Sequence, residues 1–239
     1  VFSGGSDPGR VARFDATGKQ VYSKPLRWGK PAAFRGELAV IDVTADGGVI
    51  LNGGLIANVQ WVLKVSGDGR VAWWKDLGEA GDLHSYRAQP DGSGWIAWRQ
   101  VRRTRDGEIP GDHVARLDAR GAELTHARIG CHASTAALFQ SGVIAACQDG
   151  PEKLALTLFD LAGRKLREKP WTWSGSFITD RDGILLTHND VLESYDTALT
   201  LRWRSPKMKL QDFVRTPDGD VVILTEDKDT WRAIRYRTP

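Results

Sequence analysis

The chain has 239 residues, of which 33 are Lys or Arg and 30 are Asp or Glu, so its formal net charge is only +3. Both signs of charge are interleaved along the sequence, whereas nucleic-acid modules concentrate basic residues in patches or arms. The longest apolar runs, such as Val221 to Leu224, have the length of a strand and fall far short of the roughly 18 residues that span a bilayer. The sequence therefore predicts neither a nucleic-acid partner nor a membrane span.

Five hairpins are predicted in which an extended segment passes through a tight turn into a short apolar run. The turn is Asp-Gly or an equivalent pair, and its glycine supplies the positive φ that such a turn requires. In chain order these turns are Asp46-Gly47, Asp91-Gly92, Ser141-Gly142, Asp182-Gly183 and Asp218-Gly219.

A second type of hairpin alternates with the first and has the pattern apolar strand, Asp, two residues, Gly, strand. Its aspartate is expected to accept hydrogen bonds from nearby backbone N–H groups, which reverses the chain within a few residues. Three copies are complete and two are degenerate: Asp15 to Gly18, Asp118 to Gly121 and Asp160 to Gly163, then Val65 to Gly69, and Asp196 to Leu199 with Leu in place of Gly.

These patterns repeat at intervals of roughly 40 to 50 residues, which is typical of a repeat architecture. The apolar runs begin near Val1, Gly48, Gly94, Gly142, Gly183 and Asp220. No segment reads as a helix longer than a turn or two, and short strands separated by turn signals indicate an all-β fold. We predict a single domain over residues 1–239 that forms a six-bladed β-propeller of four-stranded antiparallel blades. Either the first and last blades are incomplete, or a removed N-terminal segment contributes a strand.

Two segments, Val11 to Tyr22 and Val114 to Leu124, resemble blades of quinoprotein-type β-propellers, a PQQ-like or WD-like repeat family whose blades often carry a similar Leu-Asp-x-x-Gly turn. The resemblance extends over nearly the whole chain and implies an architecture rather than an activity. The quinone-binding enzymes of that family typically carry adjacent cysteines, and this sequence has no Cys-Cys pair. No cofactor is therefore expected.

Cys131 and Cys147 are the only cysteines. One disulfide in an oxidising compartment is the favoured interpretation, and two buried free thiols are the alternative. The chain begins at Val1 rather than Met, which we interpret as removal of an export leader. The expected location is periplasmic or secreted.

Long connections should lie at the opposite end of the blades from the Asp-Gly turns, and loops on a rigid scaffold commonly bind partners. One of these connections is predicted from Val101 to Asp112. Tryptophan and arginine dominate protein interfaces, although they could equally cover seams between blades or remain solvated. The predicted partner-binding residues are Arg102, Arg103, Arg105, Arg27, Trp28, Lys30, Trp171, Trp173, Lys207 and Lys209.

Motifs for catalysis and metal binding were sought without success. The five histidines, His84, His113, His126, His132 and His188, have no metal-ligand spacing, although they could meet in the folded chain. Aspartates near Asp182 and Asp227 lack the order of a calcium loop and are interpreted as turn caps. No nucleophile elbow or phosphate-binding loop is present. We predict no catalytic residue and no metal.

The resulting expectation is a non-enzymatic, monomeric, exported propeller that binds one protein partner through its long-loop face. An immunity-type inhibitor of a secreted bacterial toxin is the leading version. An envelope assembly scaffold or chaperone is the second version, and a lyase or hydrolase with its site at the channel mouth is the rival class.

Overall fold

A computed structural model of the chain describes residues 10–26, 38–54, 59–79, 82–104, 107–139, 141–148, 154–171, 177–179, 183–188, 190–216, 220–227 and 230–237. All regular elements within these ranges are β-strands, as the sequence predicts. None of the described segments forms a helix with the length and apolar character needed to cross a membrane. Contacts divide the chain into two compact units, residues 1–171 and 172–239. The single domain over residues 1–239 stays a prediction.

The first unit contains a two-stranded hairpin followed by three four-stranded antiparallel sheets, and the strands of each sheet are arranged in chain order. The hairpin consists of β1 (Arg10–Phe14) and β2 (Gln20–Pro25). The three sheets are β3 (Leu38–Val43), β4 (Val49–Gly54), β5 (Val59–Val65) and β6 (Val71–Glu79); β7 (Asp82–Ala88), β8 (Gly94–Thr104), β9 (Gly107–Leu117) and β10 (Glu123–Ile129); and β11 (His132–Phe139), β12 (Gly142–Gln148), β13 (Leu154–Asp160) and β14 (Lys165–Trp171).

The second unit contains one four-stranded and one three-stranded antiparallel sheet. The four-stranded sheet consists of β15 (Phe177–Thr179), β16 (Ile184–His188), β17 (Val191–Tyr195) and β18 (Leu201–Arg204). The three-stranded sheet consists of β19 (Leu210–Arg215), β20 (Val221–Asp227) and β21 (Thr230–Tyr236).

The four-stranded antiparallel blade predicted from the repeats is confirmed in four sheets. Among the described ranges, five sheets have at least three strands, and the sixth predicted unit is only the hairpin β1–β2. The sheets therefore suggest five blades rather than the predicted six. The two counts differ because the turn pattern marks every hairpin equally, whether or not further strands pair with it.

The predicted Asp-x-x-Gly turns have a common geometry. At the turn between β1 and β2, the Gly18 N–H donates to the Asp15 carbonyl at 3.0 Å, and the Asp15 N–H donates to the Lys19 carbonyl at 2.9 Å. The Asp15 carboxylate accepts hydrogen bonds from the backbone N–H groups of Thr17 and Lys19. The same capping recurs at Asp118, Asp160 and Asp196.

The first strands of four sheets share a β-bulge that the sequence analysis missed. The strand pairing shifts around Ile41, His84, Ser134 and Gln211. A bulge inserts one extra residue and re-aims the neighbouring side chains. In the first unit the side chains that flank the bulges form hydrogen bonds between consecutive sheets. For example, the Ala88 N–H donates to Asp42 at 2.7 Å, and the Leu138 N–H donates to the Ser85 hydroxyl at 3.3 Å.

Apolar side chains fill the space between consecutive sheets of the first unit. One cluster joins Trp73 and Leu77 of β6 to Ile96 of β8 and Leu117 of β9. A second cluster joins the sheet that contains Ile129 to the sheet that contains Val143 and Phe159. The strands are therefore apolar on both faces near their centres, while the outermost strand β10 is mostly exposed.

Candidate functional site

The hairpin β8–β9 extends well beyond the rest of its sheet. The last pair between β7 and β8 is Asp82 with Arg99, and the last pair between β9 and β10 is Asp112 with Ile129. Strands β8 and β9 nevertheless continue to pair through residues 100–104 and 107–111, which we call the ribbon. At about 3.4 Å per residue, the ribbon extends about 17 Å past Arg99. No third strand within the described ranges pairs with it.

The predicted long connection from Val101 to Asp112 is therefore wrong, because this segment is almost entirely β-strand. Gly107, Pro110 and Gly111 resemble loop residues in the sequence. Proline is nevertheless accepted where no neighbouring strand requires its N–H, and the ribbon has only two strands. Tertiary pairing thus overrides the local turn signals.

A buried carboxylate fixes the base of the ribbon. The Asp112 side chain is fully buried and accepts a hydrogen bond from the Ala133 N–H at 2.8 Å, which ties β9 to the first strand of the next sheet. His84 Nε2 lies 2.8 Å from Asp112 Oδ1, and Arg99 Nε lies 3.5 Å from the same oxygen. The ribbon therefore projects from a rigid, hydrogen-bonded platform.

The charge state of Asp112 follows from these contacts. Burial by itself raises the pKa of this carboxyl, but the hydrogen bonds from His84 and Ala133 and the charge of Arg99 outweigh it, so the pKa lies below its usual 3.8. Asp112 is thus an ionised anchor that is fully paired with protein groups. The sequence analysis missed this cluster because 28 residues separate His84 from Asp112 and only the bulge in β7 brings them together.

The predicted partner-binding residues fall into three groups. Arg102 and Arg103 lie in the ribbon, on strand β8. Trp171 is half-buried at the end of β14, while Lys207 and Lys209 are exposed between β18 and the start of β19 in the second unit. Lys209 Nζ lies 2.9 Å from Glu226 Oε2. The remaining five predicted residues, Arg27, Trp28, Lys30, Arg105 and Trp173, lie outside the described residues.

The predicted disulfide between Cys131 and Cys147 is confirmed, with a Cα–Cα distance of 5.6 Å. It lines a groove of about 790 Å³ between β10 and the sheet β11–β14. The groove floor includes Ile129 and Phe159, and its rim carries the ion pair between Lys165 and Glu168. Two of the charged side chains that line the groove therefore pair with each other, and Arg128 is the third.

No protein-family model and no curated protein matches the sequence. Solved structures do match it. BamB from Moraxella catarrhalis shares 14% identity with a TM-score of 0.53, and the match covers 92% of this chain and 62% of BamB. BBS1N, solved in complex with ARL6DN, shares 11% identity with a TM-score of 0.60, covering 92% of this chain and 70% of BBS1N.

The WD40 domain of Neurospora crassa Pan2 shares 12% identity with a TM-score of 0.53, covering 84% of this chain and 60% of that structure. The fold is a β-propeller. The chain spans about 62% of the length of BamB. The neighbours are propellers of the WD40 and BamB types, so the β-propeller resemblance is confirmed, and the narrower quinoprotein assignment stays a prediction.

Proposed function

We propose that this chain is a non-enzymatic β-propeller that binds a protein partner through the β8–β9 ribbon. The observation that carries the proposal is the extension of this one hairpin past its sheet, with Arg102 and Arg103 consecutive on β8. Arg102 and Arg103 place two positive charges at consecutive positions of one strand of the ribbon.

The rigidity of the ribbon base favours binding by this feature. A binding segment that is held in one conformation loses less conformational entropy on association than a free loop does. The hydrogen bonds of Asp112 to His84 and Ala133 hold the base from two other strands. The ribbon is thus presented on a scaffold that the rest of the first unit stabilises.

One of the propeller neighbours supports a protein-binding role. That neighbour structure is a complex of BBS1N with ARL6DN. We extend only the general role of a protein-binding scaffold to this chain. The toxin-inhibitor version of the prediction gains no support from any contact described here and is not part of the proposal.

The proposed location is outside the cytoplasm, in the periplasm or secreted. The Cys131–Cys147 disulfide supports this location, because structural disulfides persist mainly in oxidising compartments.

Site-specific photo-crosslinking in the cells that make this protein tests the proposal. A photoreactive amino acid at position 103 should yield one discrete adduct with another protein. The matched control places it at Arg120, an exposed arginine in the turn between β9 and β10 at the other end of the same sheet. Adducts from position 120 alone, or none from position 103, would contradict the proposal.

A further inference from the structure

Two histidines from neighbouring strands meet at the outer part of the sheet β7–β10. His113 Nδ1 of β9 lies 2.9 Å from His126 Nε2 of β10. The Trp98 ring packs against both imidazoles, with centroid distances of 5.2 Å to His113 and 5.3 Å to His126. The sequence alone showed these histidines only as scattered residues.

The contacts of His126 with Glu123 and His113 determine which of its ring nitrogens can accept a bond. His126 Nδ1 lies 3.2 Å from Glu123 Oε2 and donates its proton there. A neutral imidazole has one N–H and one acceptor nitrogen, so with Nδ1 as the donor the neutral form of the His126 ring has its lone pair on Nε2, which lies 2.9 Å from His113 Nδ1. This carboxylate–histidine arrangement is the usual orientation device behind a metal-binding histidine.

Both rings can present a nitrogen to a bound ion. His113 is half-buried, and its Nδ1 faces His126 Nε2 at 2.9 Å. The side chain of His126 is 43% exposed, so a solvated ion can reach Nε2. Neutral imidazole is the form that binds metal ions.

We propose that His113 Nδ1 and His126 Nε2 bind one late first-row divalent transition metal ion, such as Zn²⁺, in place of their shared proton. On binding, the Nδ1 proton of His113 passes to solvent and Nε2 of the same ring takes up a proton, so the charge of that ring does not change. Tetrahedral Zn–N bonds of about 2.1 Å require the two nitrogens to be about 3.4 Å apart. A small rotation of the exposed His126 ring supplies this separation.

Water completes the coordination sphere, because no group of three or more His, Cys, Asp or Glu side chains converges on a common ion position within the described ranges. Lys75 forms an ion pair with Glu123, and Arg128 pairs with His113 in the strand register, so their positive charge does not discriminate between divalent ions. Ca²⁺ and Mg²⁺ depend on oxygen ligands, which the two imidazoles do not supply. Nitrogen ligands instead favour Cu²⁺, Ni²⁺ and Zn²⁺.

Titration calorimetry of the full, untagged chain with ZnCl₂ near pH 7.5 tests this site. We expect binding of one Zn²⁺ per chain in the wild type and its loss in His126→Gln, a change at an exposed position that should not disturb folding. His132→Gln is the matched control, since His132 is exposed and lies outside the cluster. Glu123→Gln should retain binding with an affinity about 10- to 100-fold lower.

Circular dichroism of each variant establishes that it is folded before titration. Absence of Zn²⁺ binding by the wild type would overturn the proposal. Equal affinity of His126→Gln and the wild type would also overturn it, as would an equal loss in His132→Gln. The result is independent of the protein-binding role of the ribbon, because the ribbon residues do not contribute a ligand.

Discussion

Three glycines in the connections between strands differ in what surrounds them. Gly18 has φ of +83°, and a Cβ added there would have no atom within 4 Å. Gly163 has φ of +77°, and its added Cβ would lie 2.4 Å from the Arg128 carbonyl oxygen. Gly130 has ordinary φ and an added Cβ would meet nothing within 4 Å. An added Cβ would therefore cause backbone strain alone at Gly18, strain and steric overlap at Gly163, and neither at Gly130.

Alanine substitutions should therefore give a graded loss of unfolding free energy. Gly18→Ala should cost roughly 1 kcal/mol, because a left-handed φ is unfavourable for a residue with a Cβ. Gly163→Ala should cost more than about 2 kcal/mol, because the backbone of β10 must also move. Gly130→Ala should be neutral. Urea unfolding measures all three, and equal losses at Gly163 and Gly130 would contradict this account.

The turn element is where the sequence was most informative. An aspartate followed by two residues and a glycine predicted hairpins at Asp15, Asp118 and Asp160, and all three are present with carboxylate-capped backbone N–H groups. Even the degenerate copy at Asp196 forms the turn, with Leu199 at a φ of 61° in place of glycine. Short-range hydrogen bonding decides these turns, so a local pattern is sufficient to predict them.

Capping also makes the turns sensitive to acid. Hydrogen bonds from Thr17 and from the Lys19 N–H lower the pKa of Asp15 below its usual 3.8, and the pKa of Asp160 is lowered by its contacts with Arg164 and Ala162. The pKa values of Asp68, Asp91 and Asp196 are shifted in the same direction. A lowered pKa in the folded state adds stability that is present above the unfolded value.

We therefore expect the unfolding free energy to fall steadily as the pH drops from about 4 through the lowered pKa values. Urea midpoints measured between pH 7 and pH 2 should show this loss. Asp160→Asn, which retains an acceptor oxygen but cannot titrate, should reduce it. Asp82→Asn, at an exposed position outside these turns, is the control. A flat profile below pH 4 would be inconsistent with charge-assisted capping.

The strand conformation of the ribbon could not be predicted from its local sequence. Its strands contain Gly107, Pro110 and Gly111, which indicate a loop by local propensity. These residues are in strand conformation because β8 and β9 pair along their whole length. Local residue preferences do not predict that pairing. The bulge at His84 was hidden for the same reason, since register depends on the partner strand.

At the scale of the whole molecule, the repeat period predicted a β-propeller of four-stranded blades, and the sheets and the solved neighbours agree. Blade number was less predictable, because the hairpins repeat more regularly than the sheets they join. Contacts between residues of different hairpins could not be predicted, and the pair of His84 with Asp112 is one of them. His113 and His126 lie on the two strands of the predicted Asp118–Gly121 hairpin, but their register depends on the irregularity between Glu123 and Thr125.

The ribbon is the proposed partner-binding feature, and charge reversal of its arginines tests this role most directly. Arg102, Arg103 and Arg105 are changed together to Glu in one variant. Three exposed turn arginines, Arg70, Arg120 and Arg164, are changed to Glu in the matched control. Both variants change the net charge equally, and exposed ion pairs such as Arg164 with Asp160 contribute little stability.

The decisive measurement is the affinity of both variants for the partner captured through position 103. We expect the ribbon variant to bind more than about tenfold more weakly than the wild type, which corresponds to about 1.4 kcal/mol. The turn variant should bind like the wild type. Equal affinities for the two variants, or a larger loss in the turn variant, would contradict the assignment of binding to the ribbon.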